Sequence, residues 1–288
     1  MAEIQILGSA AAEGIPAIFC DCRVCRAAAA RGGREVRGRT SYNFGSVLQI
    51  DFGPDALQAF QRHREALNAI RHVLFTHAHT DHLTPTEFPY HGGGYCLVPA
   101  HPGTITLHGT APTMRKIRRL VSVPRGQSFA QHLAGIGFSL ERVRTFQRFE
   151  LPDIDATVLP LAANHVPGLE PVVYLVTMLG RTVLFGNDTG FLPVESWQAL
   201  ETYAAEGRPK IDVAILDNTG GLLPWRDGHM GSAAVLETFA RLEALGLVDA
   251  STKRVVNHFT HNAGSTHEEL CAFYHPRGIA VGYDGMVL

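Results

Sequence analysis

His77-Ala78-His79-Thr80-Asp81-His82 places four side chains of metal-ligand type within six residues. The stretch follows a β-like run at 71–76, so it begins where a strand is expected to end and a loop can turn several of these groups toward one point. Imidazole and carboxylate together suit Zn, Mn or Fe, and two such ions about 3.5 to 4 Å apart can activate a water and clamp an in-line displacement. A polar, histidine-rich loop is the plain alternative, but few structural roles need donors at this density.

Three further donors stand in similar places: His165 after the run 157–161, Asp188 after 182–185, and His258 after 254–257. A lone histidine at a strand end is usually no ligand. Four separate elements presenting His or Asp at their C-terminal ends carry more weight together, because one rim of a sheet scaffold is where a metal cleft is built.

Between these points the chain alternates short β-like and helical patterns. Strands are expected near 3–7, 46–51, 71–76, 172–178, 182–185, 212–216, 253–259 and 279–288, with a Gly180-Arg181 hairpin turn. Helices are expected after Pro54 (apolar Leu57, Phe60, Leu67 and Ile70), around Met114 to Val121, at 194–206 and at 231–245. Another should start at a Ser265/Glu268 capping box. Arg115, Lys116, Arg118 and Arg119 read as a solvated basic face, with a phosphate-attracting patch as the alternative. No repeat or linker divides the chain, so one domain, 1–288, is expected, with a variable insertion at about 96–150.

The 288 residues are 45% hydrophobic and 18% charged with a net charge of −2, which fits a globular chain and supplies no overall attraction to nucleic acid or an anionic membrane. No apolar run reaches the ~18 residues of a span. The start carries Glu3, Gln5 and Glu13 where a signal peptide would be basic and then apolar. A cytoplasmic protein without membrane or nucleic-acid partners is the expectation.

Five cysteines argue the same way, because three of them crowd at Cys20, Cys22 and Cys25 within a knuckle at about 18–27. Cys96 and Cys271 read as buried small hydrophobes. Three thiolates leave a closed zinc site one ligand short. His261, three residues past His258, is the candidate for the fourth.

Taken in order, His77-x-His79-x-Asp81-His82, His165, Asp188 within Gly186-Asn187-Asp188-Thr189-Gly190, and His258 resemble the ligand signature of metallo-β-lactamase-fold hydrolases. The resemblance spans nearly the whole chain. It implies an α/β, αββα sandwich of two mixed sheets with helices on the outer faces and two divalent metals, Zn or Mn, at one edge. In that pattern His77, His79 and His165 hold one metal, Asp81, His82 and His258 the other, and Asp188 bridges.

The knuckle is similar to that of the phosphoribosyl cyclic phosphate phosphodiesterase family, which adds a structural zinc on three cysteines and a histidine. The likeness extends to Gly282-Tyr283-Asp284-Gly285-Met286 and to Leu216-Asp217-Asn218-Thr219 followed by His229. It implies hydrolysis of a small cyclic or simple phosphodiester by a metal-bridging hydroxide that Asp81 orients, with His229 as general acid, in a homodimer. The Gly92-Gly93-Gly94 loop and the 96–150 region depart from that family and should shape the pocket. A quinone-cofactor biosynthesis family shares a comparable knuckle, but its first histidine motif is altered where this one is intact. A tRNA 3′-end endoribonuclease, a thioester, lactone or β-lactam hydrolase, and a non-catalytic metal-binding accessory protein remain open alternatives.

Overall fold

The computed structural model describes residues 3–63, 69–92, 94–96 and 103–288. Within them the chain forms two mixed sheets. The first runs β1 (Ile4–Gly8), β2 (Ser41–Phe44), β3 (Leu48–Ile50), β4 (His72–Leu74), β5 (Ile105–Gly109), β6 (Phe138–Arg142) in that spatial order. Its first three strands are antiparallel neighbours and its last four are parallel. The second sheet holds β7 (Phe149–Leu151), β8 (Ala156–Ala162), β9 (Val172–Met178), β10 (Arg181–Gly186), β11 (Val213–Asp217), β12 (Lys253–Asn257) and β13 (Ile279–Val281), antiparallel from β7 to β10 and parallel from β10 to β13.

Strands buried on both faces read as continuous apolar runs, and β10 shows why. Val183 and Phe185 point into the layer between the sheets, where Ile6, Tyr42, Phe44, Leu74 and Val176 also lie. Leu184 points the other way, into a layer shared with Val24 of α1 (Arg23–Arg31), Trp197 of α5 (Val194–Ala205), Phe239 of α6 (Ser232–Ala244) and Leu270 of α7 (His267–Tyr274). A third layer packs Val73, Leu107 and Phe138 against Ile117 of α3 (Ala111–Leu120) and Leu133 of α4 (Phe129–Gly135). Helix α2 (Ala56–His63) completes the set. The result is the expected αββα sandwich.

Several local expectations shift. The 96–150 region is not a free-standing insertion: its described residues supply β5 and β6 to the first sheet and β7 to the second. The hairpin turns on Leu179 and Gly180 rather than Gly180-Arg181, with φ of 50° and 76°, because Met178 already pairs with Arg181 and a two-residue primed turn needs positive φ at both positions. The capping box falls one residue later than expected, on Thr266 and Glu269, because Gly264 ends the preceding turn at φ 76° and Thr266 takes the extended cap geometry.

The strand expected over 279–288 splits. After Val281 the tail crosses to the first sheet, where Ile6 N donates to Met286 O (2.9 Å) and Leu288 N to Ile4 O (2.8 Å). Asp284, within the glycine-rich ending, accepts from Ser9 Oγ (2.7 Å) and Gly38 N (2.6 Å) and so ties the N-terminal loops down. Strand β2 and helix α1 were not anticipated. Leu67 and Gly93, invoked in the sequence patterns, lie outside the described residues. Among those residues no helix is long and apolar enough to cross a membrane.

Phe185 meets Tyr42 and Phe44 across the sheets at centroid distances of 5.4 and 6.3 Å. Phe185→Ala should therefore lower the unfolding free energy by about 3–5 kcal/mol in urea titration of the metal-loaded protein. A loss below about 1 kcal/mol would mean that this contact does not hold the sheets together.

Candidate metal centre

Parallel strands release their chains at one edge, and the expected donors collect there. β4 leads into His77, His79, Asp81 and His82, β8 into His165, β10 into Asp188, and β12 into His258. Asp51, Asp188 and His258 follow β3, β10 and β12 with φ of 59°, 56° and 65°. This left-handed backbone turns the side chain back across its strand end. It is a strained conformation that Asp and His tolerate better than most residues and that clusters at functional sites.

The loop of the first motif is pinned from both sides. Phe52 N donates to His82 O (2.8 Å) and Thr84 N to Phe52 O (2.9 Å). Gly53 permits that approach, since a Cβ there would lie 1.8 Å from Asp81 O. Lys116 Nζ donates to Ala78 O at 2.7 Å and is half-buried, so one of the four basic residues expected to be solvated instead braces the motif.

Two donor groups result, and Asp188 belongs to both. His77, His79, His165 and Asp188 form one; Asp81, His82, His258 and Asp188 form the other. Within the first, His77 Nε2 lies 2.8 Å from His79 Nδ1, His165 Nε2 lies 3.1 Å from His79 Nδ1, and His77 Nε2 lies 3.2 Å from Asp188 Oδ2. In the second, His82 Nε2 is 3.0 Å from Asp81 Oδ2 and 2.8 Å from Asp188 Oδ2, with His258 Nε2 3.7 Å from that same oxygen. Such edges suit ions bound at about 2.0–2.2 Å. His258 Nε2 is buried with no hydrogen-bond partner, and His82 Nε2 and Asp188 Oδ1 are buried with close ionic contacts that lack hydrogen-bond geometry, a costly state for a protein that leaves the groups unfilled. The residues fit a pair of divalent ions.

Carboxylates behind the imidazoles were missed by sequence reasoning. Asp51 Oδ2 lies 2.7 Å from His82 Nδ1, and the same carboxylate accepts from Thr76 N (2.8 Å) and Thr76 Oγ1, whose oxygen in turn lies 3.0 Å from His77 Nδ1. Asp217 accepts from Thr219 N, Met230 N and Asp188 N, and sits 3.4 Å from His258 Nδ1. Gly228 O, 3.1 Å from His165 Nδ1, fixes that ring with Nε2 inward. These contacts orient rings as second-layer carboxylates and carbonyls do around a bound metal. Asp51 could have been found: it ends a strand, as the recognised donors do.

The electrostatics are divided. Burial, reinforced by neighbouring imidazoles, drives His77 well below the ordinary histidine range, whereas burial of His82 is overcome by Asp81 and Asp51, which drive it well above. Burial favours the neutral acid at Asp188, yet His258, His77 and His82 hold it well below the usual carboxylate range.

His229 Nδ1 stands 3.3 Å from Asp217 Oδ2 and 3.3 Å from Asp188 Oδ1. Burial works against its charged form, but Asp217 and Asp188 raise it to about 9. It also falls into a third donor group with Asp188, Asp217 and His258. Asp188, His229 and His258, with His79, Asp81 and His165, open on a cleft of about 340 Å³ whose walls include Glu13, Trp225, Thr260 and Asn262.

At the knuckle, Cys20, Cys22, Cys25 and His261 come together. Cys22 caps α1 by accepting from Cys25 N, and His261 Nδ1 lies 3.5 Å from Cys20 Sγ and 3.6 Å from Cys22 Sγ. Zinc at about 2.3 Å from sulfur and 2.0–2.1 Å from nitrogen would give tetrahedral S–N edges of about 3.6 Å, so this group also fits its ion. Cys271 stands apart, 3.4 Å from His267 Nε2.

The beta-lactamase superfamily domain profile matches residues 47–252. Coenzyme PQQ synthesis protein B of Azoarcus sp. (strain BH72) is 25% identical, with 99% of each chain covered. A diphosphatase of the PhnP family superposes with TM-score 0.71 at 22% identity, covering 100% of this chain and 97% of that one. Zn(2+)-bound PqqB from Methylobacterium extorquens gives 0.68 at 18%, covering 99% of both. At these identities the structural matches speak for the fold.

Metal analysis should give close to three ions per chain, falling to two in Cys22→Ser. Asp51→Asn should weaken the binuclear pair by about 10- to 100-fold in competition with a chelating dye while leaving the knuckle ion in place. A variant that keeps full affinity would remove Asp51 from the site.

Proposed function

The chain belongs to the beta-lactamase superfamily, and from that membership and the two donor groups we propose that it is a metal-dependent hydrolase acting on a small cyclic or simple phosphodiester. Bound divalent ions would acidify a water and offset charge on the phosphoryl oxygens. The remaining work falls to the chain. Asp81 keeps one oxygen at His82 and uses the other, at the cleft it lines, to accept a hydrogen bond from the attacking water. Attack on phosphorus breaks the bond to the leaving oxygen, and His229 gives that oxygen a proton from Nε2, leaving a phosphomonoester.

The observation that carries this reading is the anchoring of His229. With Nδ1 held between Asp217 and Asp188, its other nitrogen has no hydrogen-bond partner among the described residues and is left for a leaving group, beside both donor groups. An alkoxide needs such a proton in order to depart. A thiolate does not, which places thioester cleavage lower. The likeness to a diphosphatase of the PhnP family supports phosphorus chemistry. Structured RNA is disfavoured because its binding rests on phosphate contacts with basic residues, and among the described residues no Lys or Arg lines the cleft.

A second reading, service in a quinone-cofactor pathway, has support in the end-to-end likeness to Coenzyme PQQ synthesis protein B. After Zn or Mn loading, bis-p-nitrophenyl phosphate should turn over while a thioester and a lactone do not; silence on all three would favour that accessory reading.

His229→Ala should lower kcat on a five-membered cyclic alkyl phosphodiester by about 10²–10⁴-fold with metal content unchanged. On bis-p-nitrophenyl phosphate, whose leaving group departs as the anion, it should change little. Equal losses on both substrates would exclude the acid role, and lost metal would make His229 a ligand of the third donor group.

A further inference from the structure

Among the described residues the walls of the cleft carry one carboxylate outside the donor groups and no Lys or Arg; the one basic group that lines it with a raised pKa, His229, is held by Asp217 and Asp188. Glu13 lines it together with Trp225, Thr260 and Asn262. Glu13 Oε1 accepts from Thr260 Oγ1 and from Asn262 Nδ2 (3.2 Å), and lies 3.6 Å from His261 Nε2. Oε2 has no partner among the described residues and is the oxygen left for the cleft. The side chain is 30% exposed, so its charge is accessible to a ligand.

Three cations that reach or adjoin segments of these walls are committed elsewhere. Arg39 donates to Ala12 O and Asp55, Lys116 to Ala78 O, and Arg226 pairs with Glu237. Trp225, 39% exposed, adds an aromatic surface, which attracts ammonium and guanidinium groups and repels nothing neutral.

We propose that Glu13 is a specificity-determining residue that selects substrates whose non-reacting arm is cationic or donates hydrogen bonds, and that excludes arms bearing a second anionic group. The inference rests on the hydrolase reading of the same cleft. One anionic group, the one undergoing reaction, is received by the donor groups. A second carboxylate or phosphate on the arm would meet Glu13 with no guanidinium or ammonium to offset it. An ammonium or hydroxyl arm would instead donate to Oε2 and lie against the Trp225 ring.

The test uses p-nitrophenyl phosphodiesters that share one leaving group and differ in the second arm: 2-aminoethyl, ethyl and 2-carboxyethyl. In the Zn- or Mn-loaded protein, kcat/KM should fall in that order, with at least about a tenfold span between the charged arms. Glu13→Gln, which keeps the size and the Thr260 contact, should compress that span to about twofold. Knuckle metal content and Tm report whether the variant stays folded.

Calorimetric binding of O-phosphoethanolamine and phosphoglycolate gives the same comparison without turnover. Tighter binding of phosphoethanolamine that Glu13→Gln abolishes, with no diester cleaved, would sustain the filter and sink the phosphodiesterase reading. Cleavage of all three diesters at equal rates, a preference for the carboxyethyl arm, an unchanged span in Glu13→Gln, or no discrimination in binding would each overturn the filter.

Discussion

One buried carboxylate holds the site together. Asp188, 3% exposed, lies within 3.7 Å of nitrogens of His77, His82, His165, His229 and His258. These five rings arrive on four separate segments of the chain, and only a shared centre of negative charge makes their convergence favourable. One oxygen, Oδ2, faces both donor groups, 3.2 Å from His77 Nε2 and 2.8 Å from His82 Nε2, which keeps the two groups adjacent. Asp188 is in turn positioned by the end of β10 and by its own backbone N–H, which donates to Asp217 Oδ2 (3.1 Å).

That convergence constrains the sandwich. The strands feeding the site must end at one edge, which β4, β10 and β12 achieve within the parallel halves of the sheets and β8 achieves by running in the direction of β10, two antiparallel steps away. The antiparallel halves close the inter-sheet core around Tyr42, Phe44 and Phe185. The C-terminal tail then bonds to β1, joining the sheet that carries His258 to the one that carries the first motif. Strained backbone at Asp51, Asp188 and His258 is tolerable because each is overdetermined by hydrogen bonds and packing from several elements.

Legibility followed sequence distance. The cluster from His77 to His82 was visible because donor chemistry and strand-end position coincide in six residues, and β9 and β10 because both of their faces are apolar. Asp51 and Asp217 stood in equally telling places but were single aspartates. Their meaning depends on His82, 31 residues further along the chain, and His258, 41 residues further along, and no local pattern carries such pairings. Lys116 was hidden in the same manner, one basic residue of four, distinguished by a carbonyl 38 positions earlier. Strands β5 and β6 do alternate, Ile105, Leu107, Phe138 and Leu140 against Thr106, His108, Ser139 and Glu141, but only over four residues each, too short to stand out; their polar face, with Thr106, His108 and Glu141, borders a cavity with His72 and Asp153 instead of the core.

Charge explains why the cleft looks as it does. Asp51, Asp81, Asp188 and Asp217 are each at most 8% exposed, and four buried carboxylates in one region would be prohibitive without compensation. Protonated imidazoles supply part of it: His82 and His229 are pushed toward the charged form, while burial forbids this at His77. Two divalent ions would bring four positive charges, matching the four carboxylates and leaving the ligand imidazoles neutral as ligands must be, while His229 keeps its proton. A Lys or Arg among the donors would compete with those ions for the same carboxylates. A cleft that took its countercharge as metal would have reason to lack Lys and Arg, and Glu13 is left as the carboxylate outside the donor groups that a substrate's outer arm would meet.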